Sequence, residues 1–278
     1  MNRREFIKGT IFAAAAGFWP PAFVRAQTLP KEAVRDSAVR DNLPEVLGIN
    51  EIHEADVVLD SGDLPVIGSV VARLKRIRRT MGYGNFSLMG FDDAVSNAAA
   101  YSSIGAFTDT EVAFMERIFY EDASLYGFLG EKKLSKITDN IRLKRIVKIQ
   151  GTGNCLYRGK PLATYKKIKA DVGKDAVLTS GIRGIVKQML LFLDKAVNHG
   201  GNLSLASRSL APPGYSYHGV GDFDVGKIGF GVANFTERFT TTRVYSSLVN
   251  TGYVKLRYTR GNRLGVRFEP WHIKVVAS

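Results

Sequence analysis

Apolar side chains recur at helical spacing from residue 66 to 81, where Val66, Val70, Leu74 and Ile77 alternate with arginines and lysines. Gly82-Tyr83-Gly84-Asn85 should end this helix. A second helix is predicted over Asp92–Ser102. A third opens at Thr108-Asp109-Thr110-Glu111, a capping-box pattern, with Val112, Met115, Ile118 and Phe119 as its buried stripe. Residues 27 to about 60 are polar and irregular, and Pro30, Pro44 and Pro65 interrupt this part of the chain. Residues 27–140 therefore read as a helical N-terminal region to which the pattern assigns no chemistry.

The pattern changes after about residue 142. Arg145-Ile146-Val147-Lys148-Ile149 alternates as a strand does. A helix is predicted over Lys160–Val172 and a strand over Ala176–Ser180. Arg183–Asn198 reads as a strong helix, with Ile185, Met189, Leu190, Leu193 and Val197 on one face. After a loop at Pro212-Pro213-Gly214, a helix is expected near Phe235–Asn250. Strands are expected around Tyr253–Tyr258, Leu264–Phe268 and Ile273–Val276. Helices followed by clustered antiparallel strands imply an α+β domain, a small antiparallel sheet with flanking helices, over residues 141–278.

Composition narrows the class. Hydrophobic residues make up 45% of the 278, enough for a packed core and too many for a disordered chain. The formal charge is +13, which favours an anionic partner. The basic residues are scattered apart from Arg73, Lys75, Arg76, Arg78 and Arg79. No paired CxxC element or RNP-type motif accompanies them, so a nucleic-acid partner is not expected. Cys155 is the only cysteine, which excludes an internal disulfide.

Residues 1–26 read as a leader. Arg3-Arg4-Glu5-Phe6-Ile7-Lys8 precedes the apolar run Gly9–Trp19, and Val24-Arg25-Ala26 ends in small or tolerated residues. The run is too short for a comfortable membrane span. Its head resembles a twin-arginine signal, which implies export of an already folded protein through the twin-arginine machinery. The mature chain would begin near Gln27, carry about +10, remain uninserted in the membrane, and work in the periplasm or outside the cell.

The candidate chemistry lies in two segments holding two of the four histidines. Ser216-Tyr217-His218-Gly219-Val220-Gly221-Asp222-Phe223-Asp224 is one; Glu269-Pro270-Trp271-His272 is the other. Two imidazoles and a carboxylate can hold zinc with a position left open for water, and a further carboxylate can serve as general base. His53 and His199 lack such surroundings and read as structural.

Three blocks then resemble the VanY-type D-alanyl-D-alanine carboxypeptidases, zinc peptidases sharing a fold with the hedgehog signalling domain. Ser180-Gly181-Ile182-Arg183 with Gln188 five residues after the arginine is similar to the family's S-G-Y-R block. Pro213-Gly214-Tyr215-Ser216-Tyr217-His218-Gly219-Val220-Gly221 is similar to P-G-x-S-x-H-x-x-G, and Glu269-Pro270-Trp271-His272 to E-x-W-H. Two departures stand out: Ile182 replaces the usual tyrosine, and Asp224 follows His218 by six residues where the family has seven. The resemblance implies one Zn2+ held by His218, Asp224 and His272, with Asp222 as the alternative third ligand. It implies Glu269 as the base on the water, Arg183 as the group that holds and polarises the substrate carbonyl, and Ser216 and Gln188 as substrate-binding residues.

The implied activity is removal of the terminal D-alanine from peptidoglycan stem peptides by attack of metal-bound water. A peptidoglycan endopeptidase or dipeptidase would use the same metal site. A non-catalytic wall-binding protein, its site decayed through the short His-to-Asp spacing, is the reading from another class.

Overall fold

The computed structural model describes residues 52–276. The leader and the polar stretch to residue 51 lie outside the described residues.

Helix α1 spans Asp63–Met81 and starts earlier than the apolar pattern indicates. Pro65 falls in its first turn, where a missing N–H costs no helical hydrogen bond. Gly82 ends it with φ 82°, its N–H bonding the Arg78 carbonyl at 3.0 Å. A short helix α2 (Tyr83–Phe86) leads to α3 (Phe91–Ala100) and α4 (Asp109–Tyr120). The capping box of α4 forms as read: Thr108 Oγ1 accepts from Glu111 N–H at 3.2 Å, and Glu111 Oε2 accepts from Thr108 N–H at 2.8 Å. Phe114 joins Met115, Ile118 and Phe119 in the core, while Val112 is only half-buried.

The hairpin of β1 (Ile146–Lys148) and β2 (Cys155–Tyr157) follows, then α5 (Lys160–Val172) and β3 (Ala176–Ser180). Helix α6 (Ile185–Val197) is buried on all sides along its first nine residues, Lys187 and Gln188 included. A helix so enclosed belongs to the centre of a fold. Leu74 of α1, Phe91 and Ala94 of α3, Met115 of α4 and Val186 and Met189 of α6 meet around one point. Residues on both sides of position 140 thus share one core. The remaining elements are α7 (Leu203–Ser207), β4 (Phe223–Lys227), α8 (Arg243–Asn250) and β5 (His272–Ile273).

Strands β3, β4 and β5 form an antiparallel sheet in that order, with β4 central. The result is an α+β fold, two small antiparallel sheets with flanking helices. Side chains alternate across β4. Phe223 and Val225 enter a second core with Leu178, Ile273, Tyr165, Phe239, Leu248 and Trp271. Asp224 projects from the opposite face, where His272 is its cross-strand partner.

The end of the chain differs from its pattern. Only residues 243–250 of the expected helix over 235–250 are α-helical; 3₁₀ turns at Gly231–Phe235 and Glu237–Thr241 precede it. Thr236 and Thr242 cap the successive segments, which breaks one apolar period into three. No strand forms over 253–258 or 264–268. Instead Arg257 N–H bonds the His272 carbonyl at 3.1 Å, Glu269 N–H bonds the Tyr258 carbonyl at 3.0 Å, and Lys274 N–H bonds the Lys255 carbonyl at 2.7 Å. Turns through Gly261, Gly265 and Pro270 leave too little straight chain for a ladder. No helix among the described residues is long and apolar enough to cross a membrane.

Candidate metal centre

Each of the site's side chains is delivered by a different local structure. His218 sits in a 3₁₀ turn, Tyr217–Gly219, immediately before β4. Its Nδ1 lies 2.8 Å from the Gly181 carbonyl, which can only accept, so Nδ1 carries a proton. Gly181 is required there: a Cβ would stand 2.1 Å from the Cys155 carbonyl oxygen of β2. Asp224 and His272 face one another across β4 and β5. Glu269 precedes His272 by one turn, with Oε2 3.2 Å from His272 Nδ1.

His218, Asp224 and His272 are buried, and one donor atom from each lies within 4.8 Å of the others. Their burial makes the chemistry of the set decisive. His218 has its pKa pushed down to about 3, first by burial and then by the Arg183 guanidinium. It is therefore a neutral imidazole, and its Nε2 lone pair points at Asp224 Oδ1 3.2 Å away. Two acceptors facing each other inside a protein repel unless a cation lies between them. His218 Nε2 is buried with no hydrogen-bond partner.

His272 complements it. Burial opposes its charge, but hydrogen bonds to Asp222 and Glu269 and the nearby Asp224 outweigh burial and raise its pKa. Its Nε2 lies 3.3 Å from Asp222 Oδ2, while Nδ1 lies 3.5 Å from Asp224 Oδ1. Three carboxylates surrounding this ring call for positive charge. If Nε2–H donates to Asp222, the Nδ1 lone pair turns toward Asp224 and His218. A carboxylate behind a ligating imidazole is the usual outer-shell arrangement at zinc. On this donor set, two imidazole nitrogens and a carboxylate oxygen, the residues fit a zinc ion.

The choice between the two aspartates turns on partners. Asp222 accepts from Arg257 Nε at 2.7 Å and Nη2 at 3.2 Å, and from the N–H groups of Val275 and Val276 at 2.8 and 3.2 Å. Burial would raise its pKa, yet His272 and Arg257 hold it well below the usual carboxylate range. Asp222 is thus engaged behind His272, whereas Asp224 lies in the group of three. Arg257 in turn stacks 3.6 Å over the Tyr217 ring, which ties the His218 turn to the same network.

Arg183 lies in the loop before α6 rather than in the helix, and it is 3% exposed. Its Nη1 donates to Gln188 Oε1 at 3.1 Å, and Nη2 stands 3.7 Å from Asp224 Oδ2. Gln188 donates onward to the Ala211 carbonyl at 2.5 Å, so its amide supports Arg183 from behind. Arg183, Ser216, His218, Glu269 and His272 line one narrow cavity of about 10 Å³, together with Tyr258 and the Ser209–Ala211 strip. That is about the space of one water.

Tyr258 was not legible as a site residue in the sequence. It reaches the cavity through the irregular 255–258 stretch, with its ring 5.0 Å from that of His272. Arg257 was missed for the same reason. His199 lies at the end of α6, Nδ1 against the Lys195 carbonyl at 2.8 Å, away from the cavity. Cys155 is half-buried with its thiol pKa raised by burial, the opposite of an activated nucleophile. Trp271 packs into the second core behind the site, edge-on to Phe235.

The fold and this buried His/Asp/His group with an adjacent glutamate and arginine define the class: an α+β domain built around a candidate metal site. Residues 161–278 match the family model described as VanY: D-alanyl-D-alanine carboxypeptidase. Similar solved structures include the LdcB LD-carboxypeptidase, 22% identical with TM-score 0.38 over 47% of this chain and 63% of that one. The vancomycin-resistance D,D-pentapeptidase VanY in complex with Zn(II) is 19% identical, TM-score 0.41, over 54% and 86%. The D,D-dipeptidase VanXYg, in complex with a D-Ala-D-Ala phosphinate analog, is 21% identical, TM-score 0.42, over 58% and 65%. This chain thus spans under two thirds of the LdcB and VanXYg chains. No curated protein matches the sequence.

Proposed function

We propose that the chain is an exported zinc-dependent D-alanyl-D-alanine carboxypeptidase that removes the terminal D-alanine from peptidoglycan stem peptides. The observation carrying this reading is that Glu269 and Arg183 line one narrow cavity with His218 and His272, two of the three residues of the buried His218, Asp224 and His272 group. His218, Asp224 and His272 would hold the zinc. When bound, zinc supplies a Lewis acid that polarises the scissile carbonyl and lowers the pKa of water to about 7.

Glu269 is 2% exposed and lines the cavity beside His272, where a carboxylate can serve as general base. It takes a proton from the attacking water and returns it to the amine nitrogen as the C–N bond breaks, so the water's oxygen and second proton stay on the new carboxyl group and D-alanine leaves as the amine. Arg183, which lines the cavity, would donate to the carbonyl oxygen as negative charge grows there; one such donor typically contributes about 3 kcal/mol. Gln188 keeps the guanidinium aimed. Asp222 would favour the His272 tautomer with the proton on Nε2, so that the Nδ1 lone pair, beside Asp224 and Glu269, could take the cation. Ser216 lines the pocket beside the substrate. Helices α1, α3 and α4 brace α6, and through it the loop that bears Arg183. Residues 1–26 would export the folded chain by the twin-arginine route.

The test is metal content of the mature protein with D-alanine release from a pentapeptide stem, with and without chelator. The expected result is about one zinc per chain and chelator-sensitive release. Glu269→Ala should lower turnover by about 10²–10⁴-fold with zinc retained. Release of dipeptides or of cross-linked products instead would move the bond to a dipeptidase or endopeptidase. Retained turnover in Glu269→Ala would refute the base.

A further inference from the structure

Outside the metal centre, a cleft of about 600 Å³ opens on the far side of the His218 turn. Gly219 and Val220 form one wall, the residues directly after His218, and Val275 and Val276 another. The rest of the lining holds Arg142, Arg145, Arg158 and Lys160 beside Asn140, Tyr157, Gly159 and Pro161, and no carboxylate among the described residues. Among the described residues these four side chains have no hydrogen-bond or ion-pair partner. The same bias is written in the sequence. Between Asp139 and Asp171 there is no acidic residue, while Arg142, Lys144, Arg145, Lys148, Arg158, Lys160, Lys166, Lys167 and Lys169 all fall in that interval.

The hairpin concentrates this charge. Arg158 N–H bonds the Arg145 carbonyl at 2.7 Å, so strands β1 and β2 bring two arginines together at their open end. Tyr157, on the same hairpin, donates to the Gly219 carbonyl at 2.8 Å and fastens the cleft to the catalytic turn. Several other cations of the molecule do have carboxylate partners, Arg73 with Glu111, Lys75 with Asp194 and Arg208 with Asp56 among them. These four side chains are exposed, so solvent screens their mutual repulsion, and what they offer is a concentration of positive potential that attracts an anionic occupant. Tyr157 is the one aromatic in the lining and its hydroxyl is engaged, so the cleft offers no stacking platform for nucleobases.

We propose that this cleft binds a carboxylate-bearing stretch of the peptidoglycan strand whose peptide end enters the metal centre. Guanidinium forks match carboxylates, and a cleft of this volume accommodates several residues of polymer. The identity of the polymer rests on the function proposed above; the anion site itself does not. Occupancy would anchor the enzyme on the wall through the wall beside His218 and raise the local concentration of stem peptides.

The experiment uses full-length mature protein, metal-stripped for binding and zinc-loaded for turnover. Co-sedimentation with purified peptidoglycan, freed of phosphate polymers, is measured for wild type, for the triple variant Arg142→Ala, Arg145→Ala, Arg158→Ala, and for the matching triple lysine variant. The alanine variant should bind at least about tenfold more weakly, the worth of one charge-assisted contact. The lysine variant should keep most of the affinity. Wild type should lose it on peptidoglycan whose free carboxylates have been amidated. Turnover of a short acylated D-Ala-D-Ala substrate should be the same in all three proteins. Unchanged binding of the alanine variant, or undiminished binding to the amidated polymer, would overturn the proposal. Tighter binding to a phosphate polymer than to peptidoglycan would overturn it too. If wild type cleaves nothing, the peptidase reading fails while the sedimentation arms still decide the cleft.

Discussion

Replacing Asp222 by asparagine separates two jobs that one carboxylate performs. Its Oδ1 accepts from the backbone of Val275 and Val276 and from Arg257 Nη2; its Oδ2 accepts from Arg257 Nε and faces His272 Nε2. Asparagine has one acceptor oxygen, and its NH₂ must point at a donor whichever way it turns. If the oxygen stays on the Val275 and Val276 amides, the NH₂ confronts Arg257 Nε and His272. Arg257 is almost wholly buried at its side chain, so it becomes an uncompensated charge. Breaking a buried pair in that way costs about 3–5 kcal/mol. The stacked Tyr217 ring and the bond to the Val276 carbonyl at 2.7 Å return part of it.

The second job is local to His272. Without a carboxylate behind Nε2, the ring loses its tautomer bias and some basicity at Nδ1, and zinc affinity should fall about 10–100-fold. Urea melts of the metal-free protein read the first effect. Competition against a chromophoric chelator, and ¹⁵N shifts of the His272 ring, read the second. A large loss of stability with zinc affinity and the ring shifts unchanged would refute the positioning role and leave Asp222 as a scaffold for Arg257. Loss of all zinc binding in Asp222→Ala, with Asp224→Ala still binding one equivalent, would instead make Asp222 the ligand.

Two further perturbations follow from the same geometry. Gly181→Ala would force β2 away from the His218 support, because its Cβ meets the Cys155 carbonyl at 2.1 Å; it should destabilise by about 1–3 kcal/mol and weaken zinc binding, both checked by melts and chelator competition, and a wild-type affinity would show that the Gly181 carbonyl does not orient His218. Glu111 has its carboxyl pKa lowered: burial would raise it, but Ser69, the Thr108 N–H and Arg73 prevail. A depressed folded pKa means stability that is present above the unfolded value near 4.5 and lost as pH falls through the folded one. Glu111→Gln should therefore flatten the acid limb of the stability profile below about pH 4.5, and an acid limb as steep as wild type would remove Glu111 from that account.

How much of this was legible in the sequence depends on whether the signal was local. Helix α5, strand β3 and the capping box of α4 rest on short-range spacing and were read with nearly correct bounds. The residues gathered at the cavity, Arg183, Ser216, His218, Glu269 and His272, were all candidates beforehand, because their blocks keep the chemistry-bearing types together. What failed was whatever tertiary pairing decides. Strand β4 follows the histidine turn, where Gly226 interrupts its alternation, yet it is the central strand. The stretch at 253–258 has strand composition but finds only single bonds to 269–274, since turns interrupt the partner. That irregular pairing is what delivers Arg257 and Tyr258 to the site, so the failure at the fold level and the two missed residues have one cause. The short spacing from His218 to Asp224 has a related explanation. Asp222 sits in the contracted turn and bonds two amides of the last segment, Val275 and Val276, as well as Arg257. A turn anchored to three other groups is a supported structure, which argues against reading the contraction as decay. It predicts that lengthening the turn by one residue would loosen Asp222 from those partners and weaken the hold on His272, rather than improve the centre.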